Sequence, residues 1–199
     1  MKKNDFLPDI EKISRLYTET IQSLCPPELT RFIGGLVSKR SPKRVLDPSA
    51  SASGGILAIE LNSIIKPLQF DAIVNEVEPC LPPPPEAKGF NYCEAEYLTA
   101  LEANDDKYDA IVSWPPFGGR LRECVRVDLG GENVILREPG HLLIYRACKL
   151  LDKDGIGVFV VTTSYFDRVA PLIVKLGFQT TAAVEFPCGW FRTSTSMAA

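Results

Sequence analysis

The chain of 199 residues holds a single histidine, His141. None of its six cysteines (Cys25, Cys80, Cys93, Cys124, Cys148 and Cys188) belongs to a C-x-x-C pair. A zinc centre draws on clustered thiolates and imidazoles, so no metal site is expected. Disulfide scaffolds belong to short secreted chains, and reduced thiols in a cytoplasmic protein are expected instead. No run of 18 apolar residues occurs, so no membrane span is expected. The opening MKKNDFLPDIEK has two lysines but no apolar stretch behind them, unlike a signal peptide. Internal repeats are lacking. Positive charge is also in short supply, with 22 Lys and Arg against 25 Asp and Glu. Phosphate neutralisation supplies most of the affinity of a nucleic-acid binder. The balance therefore argues against tight DNA binding by the chain alone, while leaving room for a local basic lip.

What is present is apolar residues, 45% of the chain, enough for one well-buried core. Residues 9–24 place Ile10, Ile13, Leu16, Tyr17, Ile21 and Leu24 at helical spacing. A second helix starts at Pro26-Pro27, carries Leu29, Phe32, Ile33, Leu36 and Val37 on one face, and ends at Ser41-Pro42. Short apolar strands then alternate with helices. Strands are predicted at 44–46, 70–76, 90–93, 108–113, 155–163 and 178–186. Helices are predicted at 54–65, 94–103, 139–151 and 167–176. The proline-rich stretch 79–89 reads as a stiff surface loop, and 115–137 as a long irregular segment. This alternation predicts an α/β fold: a mostly parallel, twisted sheet with helices on both faces. Residues 1–40 are expected to pack as helices on a compact unit spanning 41–199.

In such sheets ligands bind outside the carboxyl ends of the strands, at the point where strand order reverses. Four places there carry chemistry. VLDPSASASGGIL, residues 45–57, is a small-residue loop whose amides and following helix suit an anion, with Asp47 ready for an ammonium or a loop amide. A tight turn without ligand fits the same spacing equally well. Glu76 ends the second strand, where a carboxylate holds ribose hydroxyls; Glu78 lies two residues on and competes for that role. Trp114-Pro115-Pro116-Phe117 forms a stiff turn after the fourth strand, and Phe117 is suited to stacking on a planar group. Finally, Arg120, Arg122, Arg126 and Arg137 stand among Glu123, Asp128, Glu132 and Glu138. Arginines can contact phosphates, but the mixed charge favours an ordinary solvated loop. His141 opens a helix and reads as structural.

From Pro26 onward these motifs, in order and spacing, resemble the adenine-specific DNA methylases of type I restriction-modification systems. PPELTRFIGGLV is similar to the helix before the family's cofactor loop, VLDPSASASGGIL to its DPACGSGG loop, and SWPPFGG to its NPPF turn. HLLIYRACKLLDKDGIGVFVVTTSYF is similar to a helix–strand pair of the family, and VEFPCGWFRTSTS to a late P-x-G-x-F-x-x-T stretch. The resemblance implies a Rossmann-like methyltransferase fold and S-adenosylmethionine as cofactor. It implies cofactor contacts from Asp47, Pro48, Ser49, Ser51, Ser53, Gly54, Glu76 and, against adenine, Glu96. It implies catalytic contacts from Trp114, Pro115, Pro116 and Phe117. DNA is the implied substrate; no target-recognition domain is found in the sequence, so sequence reading is expected from a partner chain or specificity subunit, or from a missing segment.

The departures are specific. The family's residue before Pro-Pro is Asn or Asp, whose oxygen accepts from the target amine. Here it is Trp114, whose indole only donates. The cofactor loop carries Ser51 and Ala52 where separated glycines are usual. The chain stops at TSTSMAA, where the family continues into an antiparallel strand. Truncation, a rearranged sheet or pairing with another chain would answer that loss. Three readings follow: an active DNA adenine methyltransferase, a catalytically degenerate binding or assembly module, or a methyltransferase acting on protein, RNA or a small molecule.

Overall fold

The computed structural model describes residues 27–50, 55–74, 89–116, 119–129, 131–186 and 197–198. The expected helix at 9–24, most of the proline-rich stretch, and Ser51, Ser53, Gly54, Glu76, Glu78 and Phe117 lie outside them.

Helix α1 spans Pro27–Ser38 and buries Leu29, Ile33 and Val37, one residue per turn along a single stripe. Strand β1, Arg44–Asp47, follows. Then come α2 (Ile56–Ile65), β2 (Gln69–Val74), β3 (Phe90–Glu94), α3 (Tyr97–Ala103) and β4 (Tyr108–Ser113). The sheet order is β3-β2-β1-β4-β7, all parallel, where β7 is Leu151–Phe159. From β1 the chain winds outward through β2 to β3, then returns to the other side of β1 for β4. The order therefore reverses between β1 and β4, which places the switch point at Asp47 and Ser113.

Alternation sends successive side chains to opposite faces. Val45, Phe70, Ala72, Val74, Ala110 and Val112 meet α1 and α2 in one core. Leu46, Ile73 and Ile111 meet α4 (Pro139–Leu150) and α5 (Thr163–Lys175) in another. Helices thus cover both faces, as expected of a buried parallel sheet.

Three expectations are corrected. Residues 115–137 are not irregular throughout. They contain an antiparallel hairpin, β5 (Val125–Leu129) paired with β6 (Glu132–Leu136). Val127, Leu129 and Leu136 are buried against Leu142 and Leu172, so the alternation of apolar residues outweighs the dispersed charge. Residues 178–186 are not a strand. They form no strand beyond an isolated bridge at Glu185, and Phe186 is buried edge-on to Phe32. The expected strand at 155–163 is divided. β7 begins earlier, at Leu151, and its register against β4 shifts between Tyr108 and Ala110. Its continuation, β8 (Val161–Thr162), pairs antiparallel with β9 (Met197–Ala198). Among the described residues β7 is an edge of the sheet, so Ile156, Val158 and Phe159 are only half-buried. No helix among the described residues is long and apolar enough to cross a membrane.

Candidate functional site

At the carboxyl end of β1, Asp47 is buried. Its Oδ1 accepts from the Ser49 amide at 3.0 Å. Its Oδ2 is buried without a hydrogen-bond partner among the described residues. Burial pushes the carboxyl up to about 7, and the Ser49 amide offsets only part of that rise. A buried carboxylate with one oxygen unused is costly in a folded chain, and such groups concentrate at functional sites.

Ser49 joins this end of β1 to the turn after β4. Its hydroxyl lies 2.7 Å from the Ser113 hydroxyl and donates to the Trp114 carbonyl at 3.0 Å. Both serines are buried. Ser49 therefore fixes the two loops of the switch point against each other. Beyond them, the loop from Ala50 closes where the Gly55 amide donates to the Ala50 carbonyl at 2.8 Å. Gly55 takes φ 81° there, a left-handed geometry that spares it the clash a β-carbon would bring, and α2 begins directly after it. Pro48 lies between Asp47 and Ser49 and is buried.

The Trp114 side chain is buried. It belongs to the core shared with α1 and α2, a cluster that also holds Ala50, Ala110, Val112, Val160 and Phe186. Pro115 is buried and Pro116 half-buried. The Pro116 carbonyl abuts Gly140 at the start of α4. A β-carbon on Gly140 would come within 2.8 Å of that carbonyl and 2.3 Å of the Tyr165 hydroxyl. Gly140 is thus required for the turn to seat on α4. Next to it, His141 stacks on Tyr165 with ring centroids 4.5 Å apart, and its Nε2 is buried without a hydrogen bond among the described residues. Desolvation lowers its pKa, Glu138 opposes that and Arg168 adds to it. The sequence marks His141 only as structural; its place beside the Pro-Pro turn depends on tertiary packing that spacing does not reveal.

Glu96 lies apart from this junction, at the start of α3. Its carboxylate accepts from the amides of Leu98 at 3.0 Å and Thr99 at 2.8 Å, and from the Thr99 hydroxyl at 2.7 Å. It is the N-cap of α3. Partial burial raises its pKa, but the Thr99 and Leu98 donors and Arg146 outweigh that and hold it below the usual carboxylate range.

The structure thus brings together Asp47, Pro48, Ser49, Ser113 and the turn from Trp114 to Pro116. Among the described residues no cluster of three or more His, Cys, Asp or Glu could hold a metal. A separate cleft of about 480 Å³ opens at the opposite, amino end of the strands, lined by Arg40, Lys43, Asp109, Asp152 and Asp154 among others. It lies away from the switch point.

No protein-family model matches the chain, and no curated protein matches it. Solved structures do. An O-methyltransferase family protein from Burkholderia thailandensis superposes with a TM-score of 0.54 at 12% identity, over 96% of this chain and 59% of that one. A chain from a structure of the assembly and conformational transition of a type I R-M system superposes with a TM-score of 0.53 at 17% identity, over 96% of this chain and 46% of that one. The chain therefore carries a methyltransferase-like, Rossmann-like α/β fold and spans about half the length of these structures.

Proposed function

We propose that the chain is an S-adenosylmethionine-dependent methyltransferase of the kind its motifs resemble, the DNA adenine amino-methyltransferases. The observation that carries this reading is the Oδ2 of Asp47 at the switch point, buried and unpartnered among the described residues. A carboxylate that has lost water and found no donor fits an ammonium group, and the methionine end of the cofactor offers one. When bound, the cofactor supplies an activated methyl group on a sulfonium. Asp47 holds the ammonium, and the loop leading to α2, with Pro48, Ser49, Ser51, Ser53 and Gly54, takes the carboxylate. Glu76 holds the ribose, and Glu96 flanks the adenine while capping α3. The Pro115 carbonyl and Phe117 receive the acceptor base. Ser49 keeps loop and turn in register, so catalysis depends on positioning.

The burial of Trp114 supports a second reading, a catalytically degenerate binding or assembly module. The resemblance calls for an acceptor side chain at that position, and here the side chain is committed to the core. Calorimetric titration of S-adenosylmethionine into the purified chain, with S-adenosylhomocysteine alongside, tests the cofactor site. Micromolar binding is expected, and absence of binding by folded protein would overturn the proposal. Methyl transfer to unmethylated DNA then separates the two readings: turnover supports the enzyme, and binding without turnover supports the module.

A further inference from the structure

We infer that the base of the β5–β6 hairpin is a docking surface for the phosphate backbone of a nucleic acid. The inference deepens the proposed reading, resting on it for the identity of the anion, and begins from charges that look balanced in sequence. Arg120, Arg122, Arg126 and Arg137 are all exposed. Among the described residues none of the four forms an ion pair.

The carboxylates of the same segment are largely committed elsewhere. Glu132 pairs with Lys175 and Glu138 with Arg168. The Asp128 carboxylate accepts from the Gly131 amide at 2.7 Å, closing the hairpin turn. Only Glu123, among the four, has neither an ion pair nor an amide contact within the described residues.

The pairing register also separates the charges in space. Asp128 faces Asn133 and Leu129 faces Glu132, so these carboxylates sit at the hairpin tip. Arg126 faces Ile135 at the base, diagonal to Arg137. The Leu121 amide donates to the Arg137 carbonyl at 2.9 Å, bringing Arg120 and Arg122 to the same end. Ile135 is 48% exposed between these arginines, an apolar contact of the kind sugars and bases accept.

All four cations are arginine, whose planar fork matches phosphate oxygens in pairs. Arg120 follows the Pro-Pro turn by four residues, so a strand held here would pass the turn that receives the base. An acidic protein would satisfy the charge but has no reason to lie beside that turn.

The test is fluorescence anisotropy with a fluorescein-labelled DNA duplex and its single strand, using the full chain without cofactor. The variants are R120Q/R122Q/R126Q/R137Q and, as a control at the amino end of the sheet, K39Q/R40Q. Binding of the wild type at about 50 mM salt is expected to fall steeply by about 200 mM. In the quadruple variant the slope of log affinity against log salt should shrink by about 0.9 for each duplex phosphate that is no longer neutralised. The control should bind like wild type. Unchanged affinity and slope in the quadruple variant would overturn the inference. So would an equally large drop in the control, no wild-type binding at low salt, or competition by polyglutamate as strong as by DNA. Because the assay contains no cofactor, failure of the cofactor site leaves its outcome readable. All four substitutions are on the surface, and an unchanged circular dichroism spectrum verifies that the variant is folded.

Discussion

Three aspartates on the central strands lie in contrasting surroundings. Asp109, near the amino end of β4, accepts from the amides of Lys43 at 2.7 Å and Arg44 at 2.8 Å. Asp71, buried in β2, accepts from Tyr108, Gln69 and Asn91 at 2.7–3.0 Å. Asp47, at the carboxyl end of β1, is as buried as Asp71 yet leaves one oxygen without a donor among the described residues. Where a carboxylate only holds the fold together, the chain surrounds it with donors. Where it meets the switch point, the chain leaves it open. The difference sets the amino end of the sheet apart from the carboxyl end, where the proposed site lies.

The largest expected effect tests whether Trp114 belongs to the site or to the core. Trp114→Ala should destabilise the chain by about 3–5 kcal/mol, the usual cost of removing a buried large aromatic. Urea unfolding measures this, and a destabilisation below about 1 kcal/mol would contradict its burial. Slightly smaller is the effect of Asp47 on the pH dependence of stability. Its folded pKa is raised to about 7 from 3.8. Between those values the unfolded chain releases the proton while the folded chain keeps it, so stability falls as pH rises from about 4 to about 7. The decrease is on the order of 4 kcal/mol. Asp47→Asn should remove it, seen as the pH-dependent difference between wild-type and variant unfolding midpoints. The smallest effect belongs to the satisfied partner. Asp109→Ala should cost about 1–3 kcal/mol by leaving two amides without their acceptor. An Asp47 variant without altered pH dependence would erase the contrast between the two ends.

Much of the sheet is legible in the sequence because buried parallel strands are continuous apolar runs, as at Tyr108–Ser113. The order of motifs locates Asp47 and the Pro-Pro turn for the same reason: strand ends in this fold converge. The hairpin escapes a sequence reading because four arginines and four carboxylates obscure the alternation of Val125, Val127 and Leu129. The predicted strand at 178–186 fails because apolar residues alone do not supply a pairing partner, and only Phe186 there is buried. The direction of Trp114 is hidden, since strand parity assigns a face but not what covers it. Glu96 falls inside the helix expected from residue 94, whereas the helix begins at Tyr97 and Glu96 caps it through bonds to Leu98 and Thr99 that emerge only from the backbone geometry.

The proposed pairing of Asp47 with the cofactor's ammonium is tested most sharply by calorimetric titration of S-adenosylmethionine near pH 6.5 in two buffers of different ionisation enthalpy. Asp47, with its pKa raised to about 7, is largely protonated there before binding, and an ammonium beside it must drive that proton off. A net release of up to about three-quarters of a proton per cofactor bound is expected, abolished by Asp47→Asn. Binding with the same apparent enthalpy in both buffers would contradict the assignment of Asp47 as the ammonium's partner.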